Sequence, residues 1–201
     1  MFNILIDPLP TKLIHKNKII PFKTDFRVWL KLLSVINEGD QDVIYKHLIY
    51  LFFDKIEISE DINLKLLNFL SCAKNINDIS NINNNDNIRV KNCVKPLYDL
   101  LQDNDAVFNS FFYYYKLDLI SLDYLHWYKF RILLNGLDNT TSLGKRIEIR
   151  SIDINSIKDK KTKAEIIKAK KELEIKTKNE KQKTRAEKQI EFNNSFSKLF
   201  K

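Results

Sequence analysis

YDLLQDNDAVFNSFFYYYKLDLISLDYLHWYKFRILLNGL, residues Tyr98 to Leu137, decides the fold class of this chain. Aromatic and aliphatic side chains fill it, broken by a few spaced acids. Val107, Phe108, Phe111, Phe112 and Tyr115 recur at i, i+1, i+4, i+5 and i+8, which predicts a helix capped by Asp103 or Asn104. Core packing explains that spacing better than an aromatic stacking platform, and it leaves Tyr113 and Tyr114 partly exposed. Ser121 is the expected cap of a second helix running to Gly136, apolar over most of its circumference, with a solvent strip at Tyr124, Tyr128, Arg131 and Asn135. A helix so apolar belongs at the centre of a body. Leu125, Phe130 and Leu133 are therefore expected in the core, with Trp29 and Phe111.

Working outward, Thr24 supplies an N-cap oxygen and Asp25 a first-turn charge for a helix that Gly39 stops. Arg27, Lys31, Ser34 and Glu38 fall at i, i+4, i+7 and i+11 and form its polar stripe. A further helix from Asp40 or Asp42 places Val43, Ile44, His47, Leu48, Leu51 and Phe52 on one face. Another from Ser59 turns Ile62, Leu66, Leu67 and Leu70 inward. Before these, Phe2 to Ile6, Lys12 to His15 and Ile19 to Phe22 read as short strands, the last two around a Lys16-Asn17-Lys18 turn. Three glycines and four prolines are too few for an all-β fold with many tight turns. The expected class is mainly α: a helical bundle body with a small N-terminal β-hairpin and a long charged C-terminal helix.

Charge divides the chain. Residues 1–155 hold 19 Lys and Arg against 19 Asp and Glu, whereas residues 156–201 hold 15 against 7, which is the whole net charge of +8. The expected organisation is a compact helical body over 1–155, with the hairpin at 1–22 and an asparagine-rich loop at 75–92, followed by a basic helical or partly disordered arm over 156–201. Unbroken from 156 to 191, that helix would be about 54 Å long. Its end, FNNSFSKLF, sets Phe192, Phe196, Leu199 and Phe200 at i, i+4, i+7 and i+8, the pattern of a short amphipathic helix that docks in a groove or folds back.

Several classes find no support. No run approaches the roughly 18 apolar residues of a membrane span, and MFNILIDPLP lacks the basic start of a signal peptide, so a cytosolic protein is expected. Cys72 and Cys93 have no CxxC spacing and read as reduced structural thiols. Asp123 and His126, at i, i+3, are the best pair for a metal or acid–base role, but they lack the third and fourth ligands a site requires. Gly39, Gly136 and Gly144 are isolated, so no phosphate loop forms, and no nucleophile–base arrangement is visible. No cofactor, metal or catalytic residue is therefore expected, and the protein reads as a non-enzyme. The basic arm could neutralise phosphates, yet its interleaved acids and single Arg185 favour a solvated face, so nucleic acid is a disfavoured partner.

IDPLP at Ile6 to Pro10, TDFRVWLK at Thr24 to Lys31, QDNDAVFNSFFYYYKLDL, LDYLHWYKFRILLNGL and the following KRIEIRSIDINSIKDKKTK, in this order, resemble the phage gene-product-fifteen family over Met1 to about Ile175. Tyr128 stands where members commonly carry a second Trp. The family's genes lie among the tail genes of long-tailed phages and prophages, between those of the major tail protein and the tape-measure protein. The resemblance therefore implies a tail assembly protein, chaperone-like, that binds the tape-measure or another tail protein in the host cytoplasm. The alternatives are a structural component of the tail or virion, and nucleic-acid binding through the arm; self-association is open. For partner binding the expected residues are Arg27, Lys31 and Arg131, with the terminal anchor Phe192, Phe196, Leu199 and Phe200. Asp25, Trp29, Asp123, His126 and Trp127 are assigned to the fold.

Overall fold

The computed structural model describes residues 3–73, 77 and 96–176. The terminal anchor, most of the asparagine-rich segment and the last part of the basic arm lie outside the described residues. Those described contain a two-stranded antiparallel hairpin and seven α-helices, as the mainly α reading expects. They group into two compact units. The first holds residues 3–73, 77 and 124–131, and the second holds 96–123 and 132–176.

In the first unit, β1 (Lys12–His15) pairs with β2 (Lys18–Pro21), with Leu13 opposite Ile20 and Ile14 opposite Ile19. Lys16 and Asn17 have φ of 47° and 60°, so the turn is a two-residue one with both centres left-handed, and Lys18 belongs to the strand. Among the described residues no strand precedes β1: residues 3–7 wind into a turn instead. There the Asp7 carboxylate accepts from the Asn3 N–H, and the Asn3 side-chain oxygen accepts from the Leu5 N–H. Asn and Asp compete for backbone donors in this way, which overrides the strand propensity of Ile4 to Ile6.

Helix α1 (Phe26–Glu38) is capped by Asp25, one residue later than expected, and closed by Gly39 at φ 83°. It buries Phe26, Trp29, Leu32 and Val35, while Arg27, Lys31 and Glu38 stay exposed. Helix α2 (Gln41–Tyr50), capped by Asp40, buries Ile44 and Leu48, and Leu51 and Phe52 follow into the core. Helix α3 (Glu60–Leu70), capped by Ser59, buries Ile62 and Leu66 as expected. Its inward face is rotated from the predicted one, however: Phe69 is fully buried, and Leu67 and Leu70 are half-buried. Phe69 is the hub of this core, with ring centroids 4.6 Å from Trp29, 4.9 Å from Phe22 and 4.9 Å from Tyr128.

In the second unit, α4 (Asn104–Tyr115) buries Ala106, Val107, Ser110 and Phe111. Phe112, expected inside, is 42% exposed because Ser110 takes the inner position. The Ser110 hydroxyl donates to Ala106 O at 2.7 Å and accepts from the Leu143 N–H at 3.0 Å, at the start of α6 (Ser142–Ser151). Gly144 in α6 allows a close approach, since a Cβ there would stand 1.9 Å from Asp138 O. After a 3-10 turn at Ile154–Ser156, Asp159 caps α7 (Lys160–Glu172). The unbroken helix expected from 156 to 191 is thus interrupted: it starts at Lys160, where the Asp159 carboxylate takes the Thr162 N–H, and ends at Leu173.

Helix α5 (Trp127–Asn135) begins six residues later than Ser121. The Asp118 carboxylate accepts from the Ile120 and Ser121 N–H groups and holds a turn there, and residues before Trp127 are drawn into extended pairing. Trp127, Phe130 and Leu134 of α5 are buried, as is Leu125 just before it, whereas Leu133, expected inside, is half-buried. Tyr128, expected on the solvent strip, is 3% exposed, because its hydroxyl donates to Ala73 O at 2.9 Å.

Candidate functional site

Three of the sequence motifs meet in the first unit. Asp25 and His126 form an isolated antiparallel bridge: the Phe26 N–H donates to Leu125 O at 2.9 Å and the Trp127 N–H to Thr24 O at 2.8 Å. Thr24 Oγ1 lies 2.7 Å from the Tyr124 hydroxyl, and the Leu125 N–H reaches the Asp25 carboxylate at 3.2 Å. Burial disfavours the charge on Asp25, but the Arg27 guanidinium and the Arg27 and Leu125 N–H groups outweigh it and hold its carboxyl below the usual range. His126, 2% exposed, joins IDPLP to this pairing, with Nε2 3.0 Å from Pro10 O and Nδ1 accepting from the Tyr128 N–H at 3.0 Å. Those partners assign the proton to Nε2 and a neutral ring, and burial lowers the imidazole pKa. Asp25 and His126 thus tie three separate stretches of the chain together.

Beside β1, Asp61 accepts from His15 Nδ1 and from Lys65 Nζ, each at 2.6 Å, and the same ammonium donates to Ile14 O at 2.6 Å. The Ile14 N–H donates to Asn77 Oδ1 at 2.8 Å. Both outward backbone groups of Ile14 therefore end on side chains. The histidine and carboxylate of this cluster have the spacing of an acid–base dyad, but the arrangement does the work of a hydrogen-bonded clasp between β1 and α3. Among the described residues no group of three or more His, Cys, Asp or Glu could hold a metal ion.

The second unit is tied by a buried ion network that the sequence reading missed. Asp103 is 1% exposed and makes no cap bond to its own helix. Its carboxylate instead takes Arg150 Nη1 and Nη2 at 2.7 and 2.8 Å, and Arg146 Nη1 at 3.0 Å. Arg150 also donates to Leu97 O and Leu173 O, Lys170 donates to Arg150 O, and Arg146 forks onto Asp105. Burial raises the Asp103 pKa, but the arginines and the Asp99 N–H outweigh it and set the carboxyl below its ordinary value. The signal was present as DND before an apolar helix and Arg146 and Arg150 at i, i+4. Reading Asp103 as a helix cap concealed it.

The remaining candidates are surfaces. On α4, Phe112, Tyr113 and Tyr114 are exposed, and a shallow cavity of about 300 Å³ is lined by Asn109, Ser110, Tyr113, Tyr114, Thr140, Thr141 and Ser142. In the first unit Lys23 lies over the exposed Tyr50 ring, 3.4 Å from its centroid. Of the residues expected to bind a partner, Arg27 is exposed with its guanidinium on Asp25, and Lys31 is exposed. Arg131 is half-buried, its guanidinium 5.6 Å from the Trp127 ring centroid and near Cys72. Burial pushes the Cys72 thiol up to about 11 despite that guanidinium, so it is a poor nucleophile. Asp123 is exposed, whereas His126 is buried with both ring nitrogens on backbone groups.

Among the described residues no helix is long and apolar enough to cross a membrane. The family model described as Bacteriophage Gp15 protein matches residues 5–175. No curated protein and no solved structure matches the chain. With most of its length matched, the chain belongs to the Bacteriophage Gp15 protein family.

Proposed function

Taking the chain as a member of the Bacteriophage Gp15 protein family, we propose that it is a non-enzymatic phage tail assembly protein, a chaperone that binds the tape-measure protein or another tail protein in the host cytoplasm. Family membership over residues 5–175 is the observation that carries this reading. It is supported by the character of the polar clusters: Asp103 with its arginines, and Asp61 with His15 and Lys65, are both spent on holding segments together. It is supported too by large apolar side chains that stand in solvent, Phe53, Phe112 and Tyr113 among them. A long helical partner with apolar stripes is the kind of chain that such side chains cover. Arg27, Lys31 and Arg131 are the proposed contacts in the first unit, with Phe192, Phe196, Leu199 and Phe200 as the terminal anchor.

Co-expression with the tape-measure protein of the same phage tests the proposal. The full-length chain should keep that protein soluble and be recovered with it. Truncation after Arg185, which removes the anchor, should weaken the protection. Association with no tail protein refutes the chaperone reading. Abundance in purified virions would instead make the chain a structural component.

A further inference from the structure

Helix α7 carries six lysines against two glutamates and buries none of its residues. Its two sides differ. Lys163, Ile166, Ala169, Lys170 and the following Leu173 are half-buried, and Lys170 and Leu173 are tied to Arg150. On the other side Lys160, Ala164, Ile167, Lys168 and Lys171, at i, i+4, i+7, i+8 and i+11, are all exposed. That spacing draws a straight ridge about 16 Å long on the helix surface. Ile167, at its centre, is 45% exposed. Lys168 has only Glu172 at 4.0 Å, and Lys160 and Lys171 have no ion-pair partner among the described residues.

We propose that this ridge is a docking face for an amphipathic helix of a partner protein, one whose apolar centre is flanked by carboxylates. Charge complementarity selects the acidic flank, and the apolar Ala164 and Ile167 between the lysines select a partner with an apolar stripe. A nucleic-acid backbone fits less well. The apolar Ala164 and Ile167 at the centre of the ridge offer nothing to phosphate, and the nearby arginines that could fork onto it, Arg146 and Arg150, are already held by Asp103 and Asp105. The inference deepens the tail assembly reading by giving the partner a chemistry, and it rests on that reading only for who the partner is.

The test uses the full chain and two probes: a capped synthetic helix of about 18 residues with a leucine stripe flanked by glutamates, and a mixed-sequence DNA duplex of about 20 base pairs. Binding is followed by fluorescence anisotropy at about 0.05 M and about 0.3 M salt. The peptide should bind, more weakly at the higher salt, and better than the same residues in scrambled order. Lys168→Glu with Lys171→Glu should weaken it about tenfold. Ile167→Asp should do the same, whereas Lys168→Arg with Lys171→Arg should retain binding. These side chains are exposed, so circular dichroism should not change. No peptide binding, equal binding by the charge-reversed variant, or tighter binding of the duplex would each overturn the proposal. Because no phage protein enters this assay, its failure leaves the assembly reading to be judged by co-expression alone.

Discussion

Replacing Arg150 with alanine removes four hydrogen bonds at once: two to the Asp103 carboxylate, and one each to Leu97 O and Leu173 O. Asp103 stays behind at 1% exposure with two bonds, from Arg146 Nη1 and from the Asp99 N–H, each at 3.0 Å. Removing one partner of a buried pair costs about 3–5 kcal/mol, chiefly because the remaining charge is left dry. The surviving bonds from Arg146 and the Asp99 N–H place this case near the lower end, at about 3–4 kcal/mol. Arg146→Ala is the internal control. Its side chain is 25% exposed and two of its three hydrogen bonds go to Asp105, itself 59% exposed. That portion contributes little in water, and the total loss should be about 1–2 kcal/mol. Arg150→Lys should fail to rescue, since one ammonium cannot span a carboxylate and two separate carbonyls. Because the folded pKa of Asp103 lies below its ordinary 3.8, the stability it contributes is present above that value and is lost as pH falls through the folded one. The Arg150→Ala penalty should therefore be largest near neutrality and shrink in acid. Urea denaturation of the full-length variants measures all of this. An Arg150→Ala loss below about 1 kcal/mol, or one smaller than that of Arg146→Ala, would show that the network does not hold the second unit.

His126 has a folded pKa below the ordinary 6.5, so the unfolded chain binds its proton more readily. Its contribution should be whole above pH 6.5 and decline below it, and His126→Gln should flatten that part of a stability–pH curve. A slope unchanged in the variant would assign it to other groups. Phe130, fully buried and stacked at 4.8 Å on Phe26, and Trp127 at 1% exposure should each cost about 3–5 kcal/mol on truncation to alanine. Losses below about 1 kcal/mol at both sites, by the same denaturation assay, would mean that the start of α5 is not part of the core.

The sequence made the helical class, the hairpin and most of the core legible, because period and capping are local. Trp29, Phe111 and Phe130 are buried as their spacing required, and Gly39 closes α1. The misplacements have a common cause in tertiary hydrogen bonding. The segment before Trp127 looks helical by period, but it is held extended by Thr24 and Asp25, about a hundred residues earlier in sequence. Tyr128 lies inside because Ala73 O receives its hydroxyl, and Phe112 lies outside because the smaller Ser110 meets α6. No periodicity contains such partners. The Asp103 network was hidden for the same reason: a carboxylate ahead of a helix looks like a cap until arginines from another element claim it. The basic character of α7 was visible from charge counting, but which lysines form its outer ridge depended on where Asp159 starts the helix.

The clasp beside β1 bears on how the protein behaves when it is abundant. A two-stranded sheet is a template for stray chains wherever its edge amides are free. On β1 the Ile14 amide and carbonyl are already occupied by Asn77 and Lys65, side chains standing where a neighbouring strand would put its backbone. β2 is only four residues long and ends in Pro21, which has no amide to offer. The exposed isoleucine pair, Ile14 and Ile19, is thus displayed on a sheet that resists extension from both sides. Crowded copies, or an unfolded chain lying alongside, gain no purchase there for cross-β growth, and the Ile14 amide should exchange with solvent far more slowly than its edge position suggests.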